Sequence, residues 1–166
     1  MAKKKYVQVG LGSRARFFFR AVAKDYSETS EMVGFCDVNQ TRMDYANRVL
    51  QEDGAAPVKT YKSEDFDLMI REQKPDYVIV TSVDRTHHKY IIRAMELGCD
   101  VISEKPMTTD EVKAQSILDA IKRTGKTLRV TFNYRYSPHN TKIRELIMDG
   151  TIGKVNSVHF EWLLNT

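Results

Sequence analysis

Near the start of this 166-residue chain, Gly10, Gly12 and Ala15 fit the pattern G-x-G-x-x-[GA]. The pattern follows a short strand-like run and opens a helical stretch, which is the context it needs to bind a dinucleotide. Gly10 allows a tight turn. Gly12 lets main chain approach a pyrophosphate without a clash, and Ala15 keeps the helix close to the strand. The free amides at the helix start then face the phosphates. Candidate contacts are therefore Gly10, Leu11, Gly12, Ser13, Arg14 and Ala15, with Arg14 able to add a charge-assisted bond. Asp37 falls 25 positions after Gly12, at the end of the next apolar run. A carboxylate there accepts both hydroxyls of an adenosine ribose and repels a 2′-phosphate. It is followed by Val38 and Asn39 rather than a cation, and Arg42 is the nearest positive charge. This favours NAD over NADP. A glycine turn that binds nothing, and ordinary turn chemistry for Asp37, are the alternatives.

A third group, Glu104-Lys105-Pro106, ends a later apolar run. A lysine at the carboxyl edge of a parallel sheet points into the ligand crevice and can pass a proton. The alternative is a solvated surface lysine.

These residues need a frame that brings strand ends together. Strand-length apolar runs at 6–11, 32–36, 58–61, 77–81, 100–103 and 128–132 alternate with helical stretches at 13–26, 40–51, 64–73, 85–97 and 108–124. Thr108 and Glu111 have the spacing of a capping box for the last of these. Such alternation predicts parallel pairing with right-handed crossovers: an α/β fold with a doubly wound, mostly parallel sheet. The apolar run Tyr77-Val78-Ile79-Val80 suits a strand covered on both faces. Ser137-Pro138 then begins another helix, expected over 137–150. Residues 154–164 alternate, with Val158, Phe160, Trp162 and Leu164 on one face, and predict a strand. The expected division is a dinucleotide-binding domain over 1–136 and, over 137–166, a connecting helix and the first strand of a second domain cut short. Phe17, Phe18, Phe19, Met69, Met95 and Met107 read as packing residues.

Composition narrows the class. The chain is 42% hydrophobic and 29% charged, with a net charge of +4. Its cations are scattered apart from Lys3 to Lys5, so a nucleic-acid partner is not expected. No apolar run approaches membrane-spanning length, and no leader peptide is legible. Cys36 and Cys99 form neither a CxxC pair nor a metal spacing, so no metal site is expected. A cytoplasmic protein with reduced thiols is the expectation.

The Gly-rich turn together with Glu104-Lys105-Pro106 resembles the glucose–fructose oxidoreductase and inositol 2-dehydrogenase family. The resemblance covers essentially the whole chain. It includes the segment from Val80 to His87, Asn133-Tyr134-Arg135-Tyr136-Ser137-Pro138, and Gly150-Thr151-Ile152-Gly153-Lys154-Val155. Val83 and Asp84 depart from the Pro-Asn usual in that family. The resemblance implies an NAD(P)-dependent oxidoreductase acting on a CH–OH group of a sugar, inositol or related polyol. It implies Lys105 beside the nicotinamide and substrate hydroxyl, and Glu104 fixing the nicotinamide side. Thr81, Ser82, Asp84, His87, Asn133 and Arg135 would join the cofactor contacts. It further implies that a second domain supplies most of the substrate pocket, the main acid or base, and the contacts of a homo-oligomer. An NAD-dependent glycosidase, a cofactor-binding module without turnover, and a structural Rossmann protein that has lost its cofactor are the alternatives.

Overall fold

A computed structural model describes residues 2–163. Six strands, β1 (Lys4–Val9), β2 (Ser30–Cys36), β3 (Lys59–Tyr61), β4 (Tyr77–Val80), β5 (Asp100–Glu104) and β6 (Leu128–Thr131), form one sheet. Every pairing is parallel, and the order is β3-β2-β1-β4-β5-β6. The connections run outward from β1 in one direction, then return to its other side at β4. A crevice therefore opens between β1 and β4 at their carboxyl ends, the place where such sheets bind ligands.

Helices cover both faces. α1 (Ala15–Arg20) and α2 (Gln40–Glu52) lie over one, α3 (Phe66–Gln73), α4 (His87–Glu96) and α5 (Glu111–Thr124) over the other. Strand alternation sorts the side chains. Val7, Val9, Val78, Val80 and Val101 pack with Met69, Ile91, Met95 and Ile117. Ile79 and Phe35 pack with Phe18, Phe19, Met43 and Leu50. Burying a side chain such as Phe19, whose ring lies 5.4 Å from that of Phe35, contributes about 1.5–3 kcal/mol.

Local chemistry sets the element ends. The Asn39 side chain accepts from Thr41 N at 2.9 Å and starts α2. Lys74 (φ 47°) and Gly125 (φ 67°) adopt the left-handed conformation that stops α3 and α5.

Several expectations change. The strand expected to reach residue 11 ends at Val9, because Gly10, at φ 85°, already turns the chain. The helix expected over 13–26 is α1 followed by a π-helical turn at Ala21–Asp25. Within α1, Phe18 and Phe19 are buried but Phe17 is 65% exposed, since successive helical residues step by about 100° and three in a row cannot share one face. The capping box at Thr108 does not form. Asp110 caps α5 instead, accepting from Lys113 N at 2.9 Å, while the Thr108 hydroxyl is buried with no partner among the described residues.

The chain divides into two compact units, one ending at Thr131 and one beginning at Phe132. The second contains α6 (Pro138–Met148), with Pro138 in its first turn. The strand expected over 154–164 does not appear among the described residues. Its alternation is intact, but a strand exists only through hydrogen bonds to a neighbour, and residues 154–163 have none among the described residues. Val158, Phe160 and Trp162 are exposed, and the Tyr134 and Trp162 rings lie 5.5 Å apart. Leu164 lies outside the described residues.

Candidate active site

The turn after β1 is built by exclusion. A Cβ on Gly10 would lie 2.4 Å from the main chain of Ser82. Only glycine lets β1 and β4 continue side by side into the crevice. Gly12 is different. A Cβ there would meet nothing within 4 Å, so its bare main chain borders open space, as an approaching pyrophosphate requires. No side chain caps the start of α1, although the Ala15 amide donates to Gly12 O at 3.1 Å, so an anion there would meet the amides next to it.

Gln8 holds the turn from beneath. It is fully buried in β1, and its amide donates to Ala15 O at 3.1 Å and Thr81 Oγ1 at 2.8 Å. The Thr81 hydroxyl donates to Gly10 O at 2.6 Å. Helix start, glycine turn and β4 end thus share one network. Gln8 was missed as a site residue, although a polar residue inside Val7-Gln8-Val9, directly before the turn, was a legible signal.

Asp37 follows β2 and is only 4% exposed. One carboxylate oxygen accepts the Leu11 amide at 2.5 Å and the other the Asn39 amide at 2.8 Å. Each oxygen keeps a further acceptor position for a ribose hydroxyl. The Arg42 guanidinium lies 3.9 Å away. Gly10, Gly12, Ser13, Arg14, Asp37, Arg42, Thr81 and Ser82 together line a crevice of about 530 Å³. Leu11 contributes its amide while its side chain joins the core, as Ala15 does. Tyr90 also lines the crevice. Burial, then electrostatic interaction with Cys36 and with the Asp37 carboxylate, holds its hydroxyl above the usual tyrosine range, so it stays a neutral phenol at working pH.

The Glu104-Lys105-Pro106 turn leaves the end of β5, two strands from the glycine turn. Arg14 crosses this distance: its Nε donates to Glu104 Oε1 at 2.8 Å. The second Glu104 oxygen accepts the Lys105 amide. Arg14, expected as a phosphate contact, therefore already has a carboxylate partner. Lys105 is exposed, with no carboxylate at ion-pair distance among the described residues. His87 is buried, and both ring nitrogens meet main-chain oxygens, Nδ1 that of Pro106 at 2.8 Å and Nε2 that of Ser82 at 2.9 Å. Asp84 is exposed in a 3₁₀ turn and does not line the crevice. Asn133 and Arg135 belong to the second unit.

Comparison with known proteins agrees with this geometry. Residues 4–132 match the family model described as "Oxidoreductase family, NAD-binding Rossmann fold" (GFO_IDH_MocA). The chain is 38% identical over 164 residues to the YteT protein of Bacillus subtilis (strain 168), covering 98% of this chain and 38% of that one. It is 30% identical over 125 residues to D-glucoside 3-dehydrogenase of Escherichia coli (strain K12), covering 75% of this chain and 34% of that enzyme. The fold superposes with a TM-score of 0.77 on scyllo-inositol dehydrogenase from Lactobacillus casei, solved with bound NAD(H) and scyllo-inositol, at 23% identity over 91% of this chain and 42% of that one. The chain thus spans 34–38% of the length of these curated relatives. On the sheet order, the glycine turn and the match over residues 4–132, this chain belongs to the GFO_IDH_MocA oxidoreductase family and carries its NAD-binding Rossmann fold.

Proposed function

We propose that residues 1–136 form the NAD-binding half of an oxidoreductase acting on a CH–OH group of a sugar, an inositol or a related polyol. The observation that carries the cofactor preference is Asp37. Its buried carboxylate lines the crevice, and each oxygen accepts one main-chain amide and has room for a ribose hydroxyl. A 2′-phosphate brought against it would meet a fixed negative charge, and Arg42, half exposed at 3.9 Å, offsets that only in part.

The residues fit the cofactor. The main chain at Gly12 and the uncapped start of α1 would hold the pyrophosphate, Asp37 the adenosine ribose, and Thr81 and Ser82 the wall beside them. When bound, NAD supplies a hydride acceptor at C4 of its nicotinamide. Lys105, at the open end of β5, would bind the substrate hydroxyl and hold its proton. The sugar and inositol dehydrogenases among the relatives support the substrate class. The two buried, unpaired thiols support a reducing, cytoplasmic setting.

The test is NAD reduction followed at 340 nm against a panel of sugars and inositols, with the protein that carries this domain. Polyol-dependent NADH formation lost on Lys105→Ala, with NAD affinity kept, supports the reading. Turnover that survives Lys105→Ala contradicts it. The 166 residues alone should show none, because hydride transfer needs the carbon held at about 3–3.5 Å and this chain supplies only the cofactor side.

A further inference from the structure

His87 is a deeply buried titratable group near the site and has no part in the chemistry above. At 1% exposure it lies at the start of α4, beneath the turn that presents Lys105. Its two contacts are to different segments. Nδ1 lies 2.8 Å from the carbonyl oxygen of Pro106, one residue beyond Lys105. Nε2 lies 2.9 Å from the carbonyl oxygen of Ser82, just past β4. Ser82 is the residue whose main chain presses on Gly10, and its hydroxyl accepts from Thr86 at 2.9 Å. On the other side of the lysine, its amide is held by Glu104, itself held by Arg14. Lys105 thus sits between two clamps, one anchored in the glycine turn and one in the β4 loop.

We propose that His87 is the positioning residue for Lys105, its ring tying the Glu104-Lys105-Pro106 turn to the main chain that walls the cofactor crevice. Carbonyl oxygens only accept, so each contact needs a ring N–H. A neutral imidazole has one N–H and serves one carbonyl, whereas a doubly protonated ring serves both. A histidine present only to fill space would need neither. The proposal rests on the reading of Lys105 as the residue beside the nicotinamide, and two independent measurements keep the two claims apart.

Three variants separate donor from volume. Asn places an amide N–H two bonds from Cβ, as Nδ1 is placed, and Gln places one three bonds away, as Nε2 is placed. Phe keeps the ring without donors. The first measurement is amide hydrogen exchange at Lys105 by NMR on the chain without ligand. His87→Phe should speed exchange there by about tenfold, one lost hydrogen bond, and His87→Asn should restore protection. The second compares NADH with ADP-ribose, which lacks the nicotinamide. His87→Phe should weaken NADH by about tenfold and ADP-ribose by less than about twofold. Wild-type exchange at Lys105 in His87→Phe, or His87→Asn no better than His87→Phe, would overturn the proposal. So would equal weakening of both ligands. If His87→Phe does not fold, the proposal requires His87→Asn to protect Lys105 better than His87→Gln. If the wild-type chain binds neither ligand, the functional reading fails, and the exchange measurement alone decides the role of His87.

Discussion

Replacing Gly10 with alanine should unfold the domain far below the wild-type temperature, whereas the same change two residues on should not. At Gly10 the new Cβ lies 2.4 Å from Ser82 N and Cα and 2.6 Å from the Thr81 carbonyl carbon. All three are main-chain atoms of a loop that β4, Thr81 and His87 hold in place, so none can rotate away. The backbone also sits at φ 85°, which costs alanine about 1–2 kcal/mol. Forcing atoms into packed main chain costs about 1–3 kcal/mol more. The lower entropy of the unfolded alanine chain returns about 0.4–1 kcal/mol. The net loss is about 1–5 kcal/mol, and at about 2–4 °C per kcal/mol the midpoint should fall by roughly 2–18 °C. At Gly12 the φ is not positive and the Cβ meets nothing within 4 Å, so only the favourable unfolded-state effect remains. Gly12→Ala should therefore unfold within about 2 °C of wild type. Gly12→Val, whose branches project into the crevice, should fold but lose cofactor. Thermal unfolding by circular dichroism reads the first pair, and NADH fluorescence reads the second. Equal destabilisation at the two glycines would refute the division of labour between them. So would a Gly10→Ala protein as stable as wild type.

Other consequences are simpler to check. Phe19→Ala should cost about 3–5 kcal/mol in denaturant unfolding, whereas Phe17→Ala, at a residue 65% exposed, should stay within about 0.5 kcal/mol. Burial pushes the Cys36 thiol up to about 12 and the Cys99 thiol to about 11, so neither should react with a thiol reagent at neutral pH until the chain is unfolded. Arg20 and Lys24 hold the Asp53 carboxyl down to about 2. Because its folded-state pKa is depressed, its contribution is present above about pH 4, the ordinary carboxylate value, and is lost as pH falls through about 2. Arg20→Ala should lower the thermal midpoint at neutral pH, leave it nearly unchanged below about pH 2, and so flatten the fall over that window.

The parts of the site that lie within one strand–turn–helix unit were legible from the chain alone. The order of Gly10, Gly12 and Ala15 after a strand prescribes its own geometry, and Asp37 follows from the length of the first βαβ unit. The alternation of short apolar runs with helical stretches was enough for a parallel sheet. What depended on distant neighbours was not legible. Nothing near Arg14 in sequence announces Glu104, ninety residues away. Nothing near His87 announces that Pro106 and Ser82 converge on it. Thr108 and Asp110 both have cap chemistry at workable spacing, and the choice of Asp110 depends on where the chain leaves the turn after Pro106. The pattern at 154–164 shows how a strand would sort its faces, but not whether a neighbour exists to pair with it.

Calorimetric titration of the 166-residue chain with NAD and with NADP tests the central claim most directly. The account predicts one site for NAD, NADP weaker by about tenfold or more, and that preference lost in Asp37→Ser, where the fixed negative charge is gone. Failure to bind NAD would contradict the assignment of the crevice. NADP bound as tightly as NAD by the wild-type chain would contradict the role given to Asp37.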